Sequence, residues 1–350
     1  MRRHFAAAAL AAIGLAAQPA PAFAAPDTPT RPAAGLENQV VFSDYSPLSA
    51  SAEIMRRLLS PLAARAVQRS LECSHERLRD QSIDLATEHF VLYVPAHAPS
   101  AGYSLLVFIP PWDEAQLPRD WGPVLERSGT IFVTAAHSGN DTDPVGRREP
   151  LALLAAYNVM RRYPVDPERV YVGGFSGGAH MAERLALAYP DLFRGALLNA
   201  GSDPLDAGPP TPPPLELLER FQQSTRVVYV TGEHDDLRLA MDRASENSMQ
   251  SWCVFDVAAD ITQGASHEIV SPHALARALD QLGTHVRPDA VRLTACRVAL
   301  DRRLAAQLAR VQSLIDAGNR SEARKQLEEL DRRFGGLAAP QSVALAAALE

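Results

Sequence analysis

The chain has 350 residues, a formal net charge of -7, 47% hydrophobic residues and 21% charged residues. These proportions exclude a wholly disordered chain, and no Gly-X-Y period indicates collagen. The acidic excess, together with arginines that are scattered instead of clustered, argues against a nucleic-acid partner. At about 100–200 residues per domain, the length allows one large α/β domain or two smaller ones.

The first residues have the order of a secretory signal peptide. Arg2 and Arg3 supply a positive start, residues 5–17 form a short apolar run, and residues 22–24 offer an A-x-A cleavage site. The apolar run is too short to span a bilayer, no later run reaches about 18 apolar residues, and no cysteine near the cleavage site could carry a lipid. We therefore expect a secreted or periplasmic protein without a stable membrane anchor.

From residue 89 onward, apolar strands alternate with amphipathic helices. Strands are predicted over residues 89–94, 103–110, 130–136, 169–175, 195–201, 226–232 and 252–257. Helices are predicted over residues 50–71 (kinked or split at Pro61), 151–163, 177–189, 239–250 and 272–282. Repeated alternation with nearly continuous apolar strands indicates an α/β fold whose sheet is mainly parallel, with helices on both faces.

Four segments are predicted along the chain. They are a signal peptide (1–24), a flexible leader with an N-terminal helical segment (25–84), the α/β domain (85–290) and a C-terminal helical extension (291–350). The extension has helices predicted over residues 299–315, 321–334 and 341–349 and is similar to one tetratricopeptide hairpin. Because one such hairpin cannot bury its own apolar face, a cap on the main domain is favoured over a module that docks a protein partner.

Three cysteines allow one disulfide bond in an exported chain. They are Cys73, Cys253 and Cys296, and the sequence leaves open which two pair or whether all three are buried and reduced. The chain has no CxxC motif and no cluster of histidines and cysteines at metal-ligand spacing. We therefore expect no metal and no cofactor.

A G-x-S-x-G pattern centred on Ser176 carries the chemistry. An apolar strand precedes it and an amphipathic helix follows at once. This setting predicts a sharp strand-to-helix turn that exposes the serine hydroxyl at a helix N-terminus, with glycines allowing close backbone approach. The alternative is a glycine-rich turn that only packs a strand on a helix.

A nucleophilic serine needs a general base and a carboxylate that orients the base. Asp235 follows the strand over residues 226–232 and is the favoured acid, ahead of Asp236 and Asp203. His267 lies on the loop before the last helix of the α/β domain and is the favoured base. The other histidines near strand ends have other predicted places: His273 in the following helix, His234 at the pocket wall, His180 on the helix after Ser176, beneath the site, and His137 on a surface loop.

The oxyanion hole requires two preorganised N–H donors. One is expected from the backbone of Gly177, directly after the nucleophile. The loop after the strand over residues 103–110 should supply the other, but Pro110 and Pro111 have no N–H. Trp112 or Asp113 is the first residue on that loop that can donate.

With these residues, the chain resembles secreted α/β-hydrolase esterases of the polyhydroxybutyrate depolymerase and feruloyl esterase type, which includes acetyl-xylan esterases. The resemblance covers roughly residues 85–285 and is most specific over residues 169–201. It implies Ser176 as nucleophile, Asp235 as acid and His267 as base, an ester substrate that is a small molecule or a polymer, and no cofactor. The chain departs from the family pattern at the Pro-Pro-Trp of the oxyanion loop, at Ser266 before the histidine, and in the helical extension.

Three functions compete on these observations. The first is an exported serine esterase that works through an acyl-enzyme. The second is a serine peptidase on the same fold, because the same triad cleaves amides. The third is a non-catalytic binding protein that retains the fold and docks a protein partner with its helical extension.

Overall fold

The computed structural model describes residues 34–205 and 208–350. The signal peptide, its cleavage site and most of the proposed leader lie outside the described residues. In chain order the strands and helices are β1 (Gly35–Val40), α1 (Ser51–Leu58), α2 (Pro61–Ser74), β2 (Phe90–Val94), β3 (Tyr103–Ile109), α3 (Gly122–Ser128), β4 (Thr130–Ala135), α4 (Glu149–Arg162), β5 (Val165–Phe175), α5 (Gly177–Ala188), β6 (Gly195–Asn199), α6 (Leu215–Ser224), β7 (Arg226–Gly232), α7 (Asp236–Ser251), β8 (Val257–Thr262), α8 (Pro272–Leu282), α9 (Ala290–Asp316), α10 (Arg320–Phe334) and α11 (Gln341–Ala348).

The eight strands form one sheet in the order β1-β2-β4-β3-β5-β6-β7-β8. β2 pairs antiparallel with both β1 and β4, and every other pair of neighbours is parallel. The carboxyl ends of the parallel strands therefore lie at one edge of the sheet, where the loops that follow them meet. The predicted fold class, a mainly parallel sheet with a C-terminal helical region, is confirmed.

Helices cover both faces of the sheet, and the side chains of β3 contribute to the core on each face. Leu105 and Val107 join the core beneath α4 and α5, whereas Leu106 and Phe108 join the core beneath α3 and α8. Side chains of a strand alternate between faces, so a strand covered on both sides must be apolar at every position. This requirement explains the nearly continuous apolar run that predicted the strand.

The last predicted strand was wrong in position. Residues 252–256 form a turn and a coil, and β8 begins only at Val257. The apolar character of Trp252 and Val254 reflects burial, since Trp252 packs against Phe334 with ring centroids 5.6 Å apart. β8 is a half-exposed edge strand and so lacks the apolar run of a central strand.

Other boundaries also differ from the sequence predictions. β1, α3 and α6 were not predicted, because β1 is an exposed antiparallel edge strand and the two helices are short. α9 begins at Ala290, nine residues before the predicted start at residue 299. The early helix is split into α1 and α2, with Pro61 in the first turn of α2, where its missing N–H costs nothing.

The C-terminal helices share the core of the sheet domain. Their apolar stripe, which includes Leu300, Leu327 and Phe334, belongs to the same buried cluster as α4 and α5. A disulfide bond between Cys253 and Cys296 joins the segment after α7 to α9, with Cα atoms 5.7 Å apart. Among the described residues, Cys73 is the free cysteine, and it is exposed.

Within residues 34–205 and 208–350, no helix combines the length and the apolar composition that crossing a membrane requires.

Candidate active site

The turn between β5 and α5 holds Ser176 in a strained conformation. Its φ is 52° and its ψ is -121°, a region that residues with a side chain rarely occupy. The backbone N–H of Ser176 donates to the carbonyl of Asn199 at the end of β6, at 2.8 Å. Ser176 therefore lies at the carboxyl edge of the sheet, at the N-terminus of α5, in the predicted strand-to-helix turn.

Three glycines make this turn sterically possible. A Cβ on Gly178 would lie 1.9 Å from the carbonyl oxygen of Ile109, and a Cβ on Gly174 would lie 2.3 Å from the backbone of Gly178. On the next strand end, a Cβ on Gly201 would lie 2.3 Å from the carbonyl oxygen of Ser176. Each contact is with backbone, which cannot rotate aside as a flexible side chain can, so glycine is required at all three positions.

We expect Gly178→Ala to lower the free energy of unfolding by about 3 kcal/mol or more, because the methyl group would overlap the β3 backbone. Urea unfolding followed by circular dichroism measures the loss. The matched control is Gly283→Ala, since a Cβ there lies 3.6 Å from its nearest neighbour and the backbone is already right-handed. Equal stability of the two variants would contradict the close packing of this turn.

Ser176, His267 and Asp235 form a continuous row of hydrogen bonds. The Oγ of Ser176 lies 3.1 Å from Nε2 of His267, and Nδ1 of His267 lies 2.6 Å from Oδ2 of Asp235. Asp235 is buried, whereas the imidazole is open to solvent along one side. Asp235 and His267, which were favoured from the sequence as acid and base, are therefore the pair connected to Ser176 by hydrogen bonds.

Asp235 is held in place by its position before a helix. It is the N-cap of α7, and its second carboxylate oxygen accepts the backbone N–H of Arg238 at 3.3 Å. A short polar side chain at the N-cap satisfies an N–H that the first helical turn leaves unpaired. The remaining carboxylate oxygen is free to receive the imidazole N–H.

The loop that carries His267 is tied to two strand ends. The N–H of His234 donates to the carbonyl of Ala265 at 2.9 Å, and the N–H of Val270 donates to Oδ1 of Asn199 at 3.0 Å. Asn199 therefore contacts both the serine turn and the histidine loop. Sequence reasoning did not single out Asn199, although a buried asparagine that ends an apolar strand is a signal of such a role.

The other aspartates and histidines that were considered for the triad have different surroundings. Asp236 occupies the first turn of α7 and is exposed, and Asp203 pairs instead with His180, whose Nδ1 is 2.5 Å from Oδ2 of Asp203. His137 packs edge-on against the ring of His89, and its φ is 50°. His273 lies in the first turn of α8, as predicted, and His234 is exposed beside the acid.

An aromatic row supports the imidazole. The ring of Phe175 lies against that of His267 with centroids 5.0 Å apart, and the ring of Trp112 lies 6.2 Å from that of Phe175. Phe175 is the variable residue before the serine in the motif, so the same turn that carries the nucleophile also orients the base. This role of Phe175 was missed, because a variable motif position gives no sequence signal.

Of the predicted oxyanion residues, Gly177 directly follows Ser176, and Trp112 and Asp113 lie on the loop after β3. Gly177 opens α5, whose first N–H groups have no partner within the helix. The backbone N–H groups of Trp112 and Asp113 donate to no group among the described residues. Asp113 accepts two hydrogen bonds from the loop after β4: its carbonyl receives the N–H of His137 at 2.7 Å, and Oδ1 receives the N–H of Gly139 at 3.0 Å. Their roles as oxyanion donors stay predictions.

A polar cluster surrounds the buried Glu183 of the serine helix, α5. Glu183 on α5 accepts the N–H of Asp203 at 2.7 Å and the hydroxyl of Ser245 at 3.0 Å. Side-chain atoms of His180, Glu183 and Asp203 lie within 4.8 Å of one another, a spacing that could hold a metal ion. Each of these atoms already has a hydrogen-bond partner within the chain, and burial raises the pKa of Glu183 well above its usual value, which favours the neutral acid over a metal ligand.

We expect Glu183→Gln to stabilise the protein at neutral and alkaline pH. The raised pKa means that the folded state binds this proton more tightly than the unfolded state does. The stability that the bound proton contributes is therefore present at low pH and is lost as pH rises. The isosteric amide has no such dependence. The Tm difference from wild type should grow between pH 5 and pH 8, and Glu76→Gln, with its exposed carboxyl, should show none. A constant difference would contradict the raised pKa.

Comparison with known proteins gives one short sequence match and many matches to solved structures. No family model matches the chain. Poly(3-hydroxyalkanoate) depolymerase C of Paucimonas lemoignei is 48% identical over 57 residues, which are 16% of this chain and 14% of that protein. The chain therefore matches only about a seventh of the length of this curated relative.

Three of the matching solved structures have TM-scores below 0.5. S-formylglutathione hydrolase of Staphylococcus aureus has 14% identity, covers 56% of this chain and 93% of its own, and gives a TM-score of 0.44. Acetyl xylan esterase of Aspergillus awamori has 14% identity, matches 56% of this chain and 94% of its own, and gives a TM-score of 0.41. Dipeptidyl peptidase 4 of Porphyromonas gingivalis has 14% identity, matches 57% of this chain and 34% of its own, and gives a TM-score of 0.42.

The strand order and the turn at Ser176 characterise the fold by themselves. A serine at a strained strand-to-helix turn, above the carboxyl edge of a mainly parallel sheet with helices on both faces, is the arrangement of α/β-hydrolases. The chain has the α/β-hydrolase fold, and over the matched segment its sequence resembles a poly(3-hydroxyalkanoate) depolymerase.

Proposed function

We propose that this protein is an exported serine hydrolase that cleaves carboxylic esters. The observation that carries the proposal is the row of hydrogen bonds from Ser176 through His267 to Asp235, at 3.1 Å and 2.6 Å. A nucleophile in contact with a base, which is in turn oriented by a buried carboxylate, is the constellation of acyl transfer. Export rests on the signal peptide inferred from the sequence.

In the proposed reaction, acylation uses these three residues together. Oγ of Ser176 attacks the ester carbonyl carbon, Nε2 of His267 takes the hydroxyl proton, and the carbonyl electron pair moves onto oxygen. Asp235 stabilises the imidazolium that forms. The N–H of Gly177 and an N–H of Trp112 or Asp113 hold the oxyanion, and His267 then protonates the leaving alcohol.

Deacylation repeats these steps with water. His267 removes a proton from a water molecule that attacks the acyl-enzyme, and the same donors hold the second oxyanion. The collapse of that intermediate returns the proton to Ser176 and releases the acid. No step requires a metal ion or an organic cofactor, because the nucleophile, the base and the electrophilic donors all belong to the chain.

The choice of ester over amide substrates rests on the short match to a poly(3-hydroxyalkanoate) depolymerase. A hydroxyacid ester, in a small molecule or in a polymer, is accordingly the first substrate class to test. Screening p-nitrophenyl acetate, feruloyl esters, acetylated xylan and polyhydroxybutyrate against a peptide on one preparation separates esterase from peptidase activity.

A fluorescent fluorophosphonate tests the proposal directly, because this probe bonds to an activated serine. We expect labelling of the wild-type protein at Ser176, located by mass spectrometry of the labelled peptide. Ser176→Ala should remain unlabelled, and Ser321→Ala, which removes an exposed serine on α10, should be labelled like wild type. Folded wild-type protein that takes up no probe would support a non-catalytic binding protein instead.

A further inference from the structure

The side-chain amide of Asn140 lies against the first residue of the serine helix. A Cβ on Gly177 would be 2.1 Å from Oδ1 of Asn140 and 2.9 Å from Nδ2. The amide therefore fills the space that a side chain at position 177 would occupy. Apart from the neighbouring residues of its own helix, the three described heavy atoms nearest to that position all belong to Asn140, so its carboxamide packs against Gly177, whose N–H is a predicted oxyanion donor.

The backbone around Asn140 is held firmly to the oxyanion loop. Its N–H donates to the carbonyl of Pro111 at 3.1 Å, and the neighbouring Gly139 donates to the Asp113 carboxylate at 3.0 Å. From the other side, Nε of Arg147 donates to the carbonyl of His137 at 2.7 Å, and Nε of Arg148 donates to the carbonyl of Ser138 at 2.8 Å. The loop after β4 and the loop after β3 thus act as one preorganised unit.

The amide itself is available for a ligand. Asn140 is exposed, and its side chain makes no hydrogen bond with the described residues. A carboxamide carries two N–H donors, and a half-turn about its last side-chain bond exchanges the oxygen and the nitrogen. On the neighbouring loop, Pro110 and Pro111 have no N–H, so its first backbone donors are those of Trp112 and Asp113.

We propose that Nδ2 of Asn140 donates a hydrogen bond to the oxyanion, beside the backbone N–H of Gly177. The inference rests on the proposed function, since it adds a donor to that reaction. As the bond from Ser176 Oγ to the carbonyl carbon forms, the carbonyl π pair becomes a lone pair on oxygen and the serine proton goes to His267. Asn140 keeps its own protons and stabilises the charge on the oxygen, which makes it a catalytic residue.

The test compares Asn140→Ala and Asn140→Asp in the full chain with p-nitrophenyl acetate. Removing one oxyanion donor lowers kcat by about 10²–10³-fold, so we expect a loss of that size with little change in KM. Asn140→Asp keeps the shape but cannot donate when ionised, and it should lose at least as much. Asp141→Ala, the adjacent exposed residue, is the matched control and should retain wild-type kcat.

A trifluoromethyl ketone separates a catalytic role from a structural one, because its serine adduct carries an oxyanion. Its inhibition constant should rise in the Asn140 variants in parallel with the fall in kcat/KM, while their Tm stays at the wild-type value. Wild-type kcat and inhibition in both variants, or a change in KM alone, overturns the inference and leaves the proposed function intact. A wild-type protein that neither hydrolyses esters nor reacts with fluorophosphonate overturns both.

Discussion

We expect Ser176→Ala to lower kcat for p-nitrophenyl acetate by about a million-fold. The serine is the only group in the row that can form the acyl bond, and removing the nucleophile of such a triad has this magnitude in serine hydrolases. Because the three residues act as a unit, adding His267→Ala to Ser176→Ala should cost little more. Initial rates on purified variants of equal Tm measure the effect.

The two neighbouring aspartates provide the control for this prediction. Asp235→Asn leaves the imidazole without its charged partner, and we expect kcat to fall about 10⁴-fold. Asp236→Asn changes an exposed carboxylate in the next position and should leave kcat near the wild-type value. Similar losses in both variants, or wild-type kcat in Ser176→Ala, would remove the basis for the triad.

Replacing the disulfide bond by alanines, in Cys253→Ala/Cys296→Ala, should lower the free energy of unfolding by about 4 kcal/mol. The bond closes a loop of 43 residues, and the chain entropy it removes from the unfolded state has this size. Urea unfolding without reductant measures the difference. Wild-type protein in dithiothreitol should show the same loss, and the double variant should not respond to dithiothreitol.

Cys73→Ala is the matched control for the disulfide prediction. Cys73 is exposed and unpaired among the described residues, so its removal should leave the unfolding free energy unchanged. A double variant as stable as wild type would mean that α9 is held by its apolar stripe alone. Loss of stability in Cys73→Ala would instead mean that this thiol takes part in pairing.

The sequence predicted the parts of the site that depend on residues close together in the chain. The turn at Ser176 could be recognised because glycines, an apolar strand and a helix must coincide there. Asp235 and His267 could be proposed because each follows a strand whose carboxyl end lies at the same edge of the sheet. Their catalytic roles stay predictions until the variants are measured.

What the sequence could not predict depends on contacts between distant segments. Asn140 reaches Gly177 only because two loops, after β3 and after β4, are hydrogen-bonded to each other. Phe175 supports His267, which is 92 positions later in the chain, and nothing near either residue indicates the other. The strand predicted over residues 252–257 was misplaced for the same reason. Trp252 is apolar because it packs against Phe334 on α10, and not because it belongs to a strand.

The disulfide bond has a consequence for proteolysis. Residues 283–287 between α8 and α9 are exposed, and exposed connecting segments are where proteases nick a folded chain. This segment lies inside the 43-residue loop that the bond between Cys253 and Cys296 closes. A cut there leaves the two fragments covalently joined, so a nicked molecule keeps its C-terminal helices beside the sheet and separates into two chains only after the bond is reduced.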